Sequence, residues 1–129
     1  MRVEIKKDKD RKGFFRVIPH GSIDTESHDE FRKAIEPLLA PSTRGVLLDL
    51  KNVDYVSSAG IGVLFAVKKA LKSVDAGLLF CNLKPQIQKL FDIMKFLPKK
   101  TIFKSLEEAD RYFYKIMNDT VKRSRRSRT

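Results

Sequence analysis

Cysteine is almost absent from this chain: Cys81 stands alone among 129 residues. One thiol excludes an internal disulfide and cannot by itself hold a metal, so a reducing, cytoplasmic setting is the expectation. Histidine is nearly as scarce. His20 and His28 fall outside the spacing by which two helical histidines share a metal, and surface or capping roles suit them better. Long apolar runs are missing too. The longest strongly apolar stretch without charge, Tyr55 to Val67, holds 13 residues, short of the roughly 20 that span a bilayer as a helix. The segment from Met1 to Lys12 is dense in charge and lacks the apolar block of an export signal. No phosphate-binding glycine loop, zinc pattern or nucleophile–base constellation is present, so neither catalysis nor a metal or cofactor is expected.

What remains is the material of one folded domain. The length suits a single domain, and 42% hydrophobic with 33% charged residues fits a packed core under a wetted surface. The charge is lopsided, with 27 Lys and Arg against 16 Asp and Glu for a net +11. Five of those cations (Lys122, Arg123, Arg125, Arg126 and Arg128) follow Asp119 with no acid among them, and leaving them out gives +6 over residues 1–120. The expectation is a domain over 1–120 and a disordered basic tail over 121–129.

Patterning along the chain alternates between strand and helix. Met1–Ile5 and Gly13–Pro19 read as strands joined by the charged stretch Lys6–Lys12. Asp24 or Thr25 can cap a helix carrying Phe31, Ala34, Ile35, Leu38 and Leu39 at helical spacing, with Pro37 kinking it or ending it early. Gly45–Leu50 is a short apolar run suited to a strand covered on both faces. A helix over Ser58–Ser73, a strand over Gly77–Cys81 and a helix entered through Pro85 follow. A minimal strand over Thr101–Phe103 comes next. The last helix has Ser105 and Glu108 as a capping box and Leu106, Ala109, Phe113, Ile116 and Met117 as its stripe. This order predicts an α/β fold with a mixed, mostly parallel sheet of about five strands and about four helices.

The segment from Asp49 to Leu64 carries the most chemistry. It runs strand, loop, hydroxyl pair, helix. The first amides of a helix lack intrahelical partners and its dipole makes that end partly positive, so a serine there tolerates an added phosphate. Ala59, Gly60 and Gly62 keep the first turn bare, open to close approach by a kinase or partner. The plainer alternative is that Ser57 or Ser58 is an N-cap, without a capping box because Gly60 stands three residues on. Asp49, at a strand end, suits bonding to loop amides rather than acid–base work. Cys81 suits a small buried hydrophobe.

These residues resemble the signature of the STAS family, in its small bacterial anti-sigma factor antagonist branch. Asp49 matches the Asp that ends a strand, Tyr55-Val56 the aromatic–aliphatic step, and Ser58-Ala59-Gly60-Ile61-Gly62 the turn into a helix. Gly21-Ser22-Ile23-Asp24 and the strand–loop–helix of Cys81 to Leu97 extend the likeness to about residues 1–117. The resemblance implies a single STAS-like domain that binds an anti-sigma factor, itself a GHKL-type serine kinase, and so frees a sigma factor. Phosphorylation of a serine at the helix start breaks that complex, and a phosphatase resets it. Carried over by motif, the acceptor is Ser58. Family members often carry Asp where this chain has Ser57, which leaves Ser57 as a second candidate acceptor or as the cap that orients Ser58. The implied partner surface comprises Asp24, Thr25, Asp54, Tyr55, Ser57, Ser58, Ala59, Gly60 and Gly62. For Asp24, capping of the helix after it is the competing role. The alternatives are a STAS accessory module of a membrane transporter or lipid-transfer complex, and a nucleic-acid-binding domain that uses the tail. A solvated terminus, contact with nucleic acid or an anionic membrane, and an acidic patch on the partner are the readings open for that tail. It lacks aromatic residues for base stacking.

Overall fold

A hairpin closed by one aspartate begins the fold in this computed structural model, which describes residues 1–94, 102–109, 111 and 112. Asp8 Oδ1 accepts from the Asp10 and Arg11 amides at 2.9 and 3.0 Å, and Arg11 Nε donates to Asp8 Oδ2 at 2.8 Å. The charged residues between the strands therefore build the turn. Strand β1 (Arg2–Lys7) pairs antiparallel with β2 (Phe14–His20), Ile5 standing opposite Val17. The expected end of β1 at Ile5 falls two residues short. Lys6 and Lys7 continue the edge strand, where their charges stay in water.

Three parallel strands complete the sheet: β3 (Gly45–Asp49), β4 (Gly77–Cys81) and β5 (Ile102–Phe103), in the order β1-β2-β3-β4-β5. Helices α1 (His28–Ile35), α2 (Ser58–Ser73) and α3 (Pro85–Met94) make the crossovers. The expected bounds of α2 and β4 coincide with those observed. Pro37 lies in a 3-10 turn, Glu36–Leu38, and α1 ends just before it. The expected caps Asp24 and Thr25 are displaced, because α1 starts at His28 with Ser27 in the capping position. Residues 24–27 instead form a turn held by the Asp24 carboxylate.

Val17, Val46, Leu48 and Phe80 of the sheet pack against Phe31 and Ile35 of α1, Leu64 and Val67 of α2, and Ile87 and Phe91 of α3. On the opposite face Phe14, Leu47, Leu79, Cys81 and Phe103 pack with Leu106, Ala109 and Tyr112. Covered on both sides, β3 is buried at all five positions, and this explains its unbroken apolar run. Residues 106–109, 111 and 112 are helical, and the Glu108 amide donates to Ser105 Oγ at 3.2 Å as the capping pattern predicts. Phe113, Ile116, Met117 and the expected tail, 121–129, lie outside the described residues. Phe80 is fully buried and meets Phe91 edge-on, with ring centroids 5.4 Å apart. Phe80→Ala is expected to remove about 3–5 kcal/mol of stability, read as a lower midpoint in urea unfolding.

Candidate functional site

Beyond the ends of β2 and β3 the two chains stay joined. Gly21 N donates to the Asn52 carbonyl at 3.0 Å, Ile23 N to Tyr55 at 2.9 Å, and Ser57 N to Ile23 at 2.9 Å. Ile23 and Val56 form an isolated parallel bridge, and both side chains are buried. The loop before α1 and the loop before α2 are thus one structural unit. It sits at the carboxyl ends of the parallel strands, where open α/β sheets usually carry their binding sites.

The adjacent serines take different positions. Ser57 is extended (φ −82°, ψ 175°) and its Oγ accepts from the Gly60 amide at 3.2 Å, which makes it the N-cap of α2. Ser58 is the first helical residue and is exposed, and among the described residues nothing hydrogen-bonds its hydroxyl. Ala59 is half-buried. Gly60 corrects the expectation of a bare, approachable turn. It is buried, and a Cβ there would lie 2.2 Å from the Ile23 carbonyl oxygen, so its missing side chain serves contact within the chain. Gly62 meets the expectation: it is exposed, and among the described residues a Cβ there would have no neighbour within 4 Å.

Two further loops frame the serines. Asp24 Oδ1 accepts from the Glu26 and Ser27 amides at 3.0 and 3.1 Å. The Ser27 backbone bond, ahead of the Glu26 bond, holds the Asp24 carboxyl below the usual carboxylate range although it is open to solvent. Thr25 is exposed on this turn, and the His28 ring packs Nδ1 2.8 Å from its carbonyl, a local capping role. On the other side Asp54 is exposed and pairs with Lys84, while Gln86 Nε2 donates to the Asp54 carbonyl at 3.3 Å. Tyr55 is 57% exposed. Between this loop and α3 runs a shallow groove of about 440 Å³ lined by Tyr55, Ser58, Ile61, Gln86, Ile87 and Leu90 among others.

Asp49 ties the loops to the sheet. Almost wholly buried, it accepts at Oδ1 from the Lys51 amide and from Asn82 Nδ2, both at 3.1 Å, and Arg16 Nε lies 3.6 Å from Oδ2. Asn82 sits at φ 57° as β4 turns into the loop that carries Lys84. Bonding to loop groups is the role expected for Asp49. His20 contacts Glu4 and Arg2 at the surface, and Cys81 is buried, as expected of both. Asp24, Thr25, Asp54, Tyr55, Ser57, Ser58 and Gly62 therefore gather around one end of α2, with Ala59 half-buried beneath them and Gly60 buried. Sequence reading missed the Ile23 main chain, Lys84, Gln86 and the α3 wall of the groove. The one available signal for the last was the Pro85-led amphipathic pattern. Among the described residues no group of three or more His, Cys, Asp or Glu could hold a metal.

Comparison with known proteins matches the STAS domain family model to residues 6–109. A Bordetella bronchiseptica protein, BtrV, assigned by its name to the anti-sigma factor antagonists, is 32% identical over 97 residues, covering 75% of this chain and 84% of its own. The anti-sigma-B factor antagonist of Staphylococcus aureus is 30% identical over 80 residues, covering 62% and 74%. An anti-sigma factor antagonist from Mycobacterium paratuberculosis shares the fold with a TM-score of 0.72 at 20% identity over 86% of this chain and 92% of its own. So does a sulfate transporter family protein from Wolinella succinogenes, with a TM-score of 0.73 at 14% identity over 82% and 88%.

Thermal unfolding separates the two glycines. Gly60→Ala is expected to cost about 1–3 kcal/mol through the clash with Ile23, whereas Gly62→Ala is expected to stabilise by about 0.5–1 kcal/mol. Asp24 sets a pH dependence. Its lowered folded-state pKa means that its stabilisation is present above the unfolded value and fades as pH falls through the folded one. Asp24→Ala should destabilise the protein at neutral pH, and the gap from wild type should close under acid.

Proposed function

Because the chain belongs to the STAS domain family, we propose that it is an anti-sigma factor antagonist gated by phosphorylation of Ser58. In this reading it is a regulatory binding protein of the cytoplasm. Among the described residues no helix is long and apolar enough to cross a membrane. The unmodified protein holds a GHKL-type anti-sigma kinase and so frees a sigma factor. The kinase phosphorylates Ser58 and the complex parts, and a phosphatase restores the serine. The observation that carries the proposal is the division of labour between the two hydroxyls: Ser57 is spent on the Gly60 amide, and Ser58 is exposed and unengaged.

The physics of the gate follows from that placement. A phosphate adds about −1.5 to −2 charge. At the first residue of α2 it faces the positive end of the helix dipole and amides without intrahelical partners, so the free protein accommodates it. In a packed interface the same group must be desolvated, and a penalty of about 4 kcal/mol weakens binding about a thousandfold. Transfer to Ser57 would instead use an oxygen already engaged with the Gly60 amide. The contrast between the capping Ser57 and the exposed Ser58 supports Ser58 as the acceptor. The transporter-module reading draws on likeness of fold alone, while the relatives at 30% identity and above are named as antagonists.

Incubation with ATP and each purified GHKL-type kinase of the genome that encodes this chain tests the gate. Mass spectrometry should find one phosphate, on Ser58, absent from Ser58→Ala and retained in Ser57→Ala. Uptake on Ser57 would reassign the acceptor, and no uptake with any kinase of the set would remove the gate.

A further inference from the structure

The solvent face of α2 continues well past Ser58. At about 100° per residue, the exposed positions Ser58, Gly62, Phe65, Ala66, Lys69 and Lys72 fall within roughly a third of the helix circumference. The stripe changes character along its length. It is bare at Gly62, aromatic at Phe65, which is 47% exposed, and cationic at Lys69 and Lys72. The 16 residues of α2 include no acid at all. Gly62 is the informative residue. A glycine inside a helix weakens it, and here, unlike at Gly60, no neighbour among the described residues requires one. Its effect is to leave the helix backbone open to something outside the chain.

We propose that this face is the docking strip for an acidic segment of the partner protein. The segment's backbone closes over Gly62, an apolar side chain rests on Phe65, and its carboxylates reach Lys69 and Lys72. The proposal rests on the antagonist reading above and extends it from the Ser58 gate along the second half of α2. The occupant is a different, acidic protein, because a second copy of a chain with net charge +11 would bring the same cations against these lysines. Charges at an interface rim act mainly on association rate, close packing on dissociation. Lys69 lies about 16 Å along the helix from Ser58, about two Debye lengths at physiological salt. Steering by the lysines and release by the phosphate are therefore separate levers on one complex.

Stopped-flow binding of the full chain to each purified GHKL-type anti-sigma kinase of its genome tests the strip. In the complex that forms, Lys69→Glu with Lys72→Glu should slow association about tenfold at low salt, the difference closing as salt rises. Gly62→Trp should speed dissociation about tenfold or more, with circular dichroism confirming that both variants are folded. Unchanged rates in both variants, in a complex that Ser58→Glu still weakens, overturn the strip and leave the gate standing. No complex with any kinase of the set overturns strip and gate together. Lysine-dependent binding to phosphatidylserine vesicles in place of a kinase assigns the face to lipid and overturns the strip as well.

Discussion

The Ile23 carbonyl is the constraint on which the site depends. It accepts the Ser57 amide, and it lies so close to Gly60 that only glycine fits there. That contact fuses the loop after β2 to the start of α2, so the Asp24 turn and the serine pair hold one fixed geometry. A covalent change at the helix start is then presented on a rigid surface. A preorganised surface is what would let a small added charge decide whether a partner binds.

Two kinds of interaction support the same unit from below. The parallel sheet, buried on both faces at β3, fixes where the site loop departs. Asp49 then bonds both the loop after β3 and the side chain of Asn82, coupling the loops on the two sides of the groove. The Asp54–Lys84 pair adds a second, exposed tie between them. An exposed pair of this kind contributes at most about 1 kcal/mol, so the buried aspartate and the Ile23 main chain carry the positioning.

The elements with local causes were legible in the sequence. Ser57 as cap, an apolar helix start and lysines at its end mark α2, and Pro37 marks the end of α1. The start of α1 was misplaced because an aspartate four residues before a helix serves equally well to close a preceding turn, and residue type does not distinguish the two. Gly60 was read as open to partners when its role is internal, because the atom that excludes a side chain there belongs to Ile23, far away in sequence. Lys84 and Gln86 were invisible for the same reason, since they reach the site from the loop after β4 and the first turn of α3. The site's center was legible through its motif, and its walls were not.

In the proposed switch the positive charge would bear on partner choice. Even without the last cations the chain keeps an excess over its acids, and on α2 that excess is unopposed along one helix face. In the proposed switch, a negative phosphate at one end of this cationic helix would act on a complex that charge helps to assemble. The central claim is that modification of Ser58 governs the complex while leaving the fold intact. The most direct test compares the dissociation constants of one anti-sigma kinase for the unmodified and the fully Ser58-phosphorylated chain, with thermal unfolding of both forms alongside. The phosphorylated form is expected to bind at least about hundredfold more weakly, a loss of about 2.7 kcal/mol, with no loss of stability. Equal affinities, or weaker binding that tracks an unfolded helix, would contradict it.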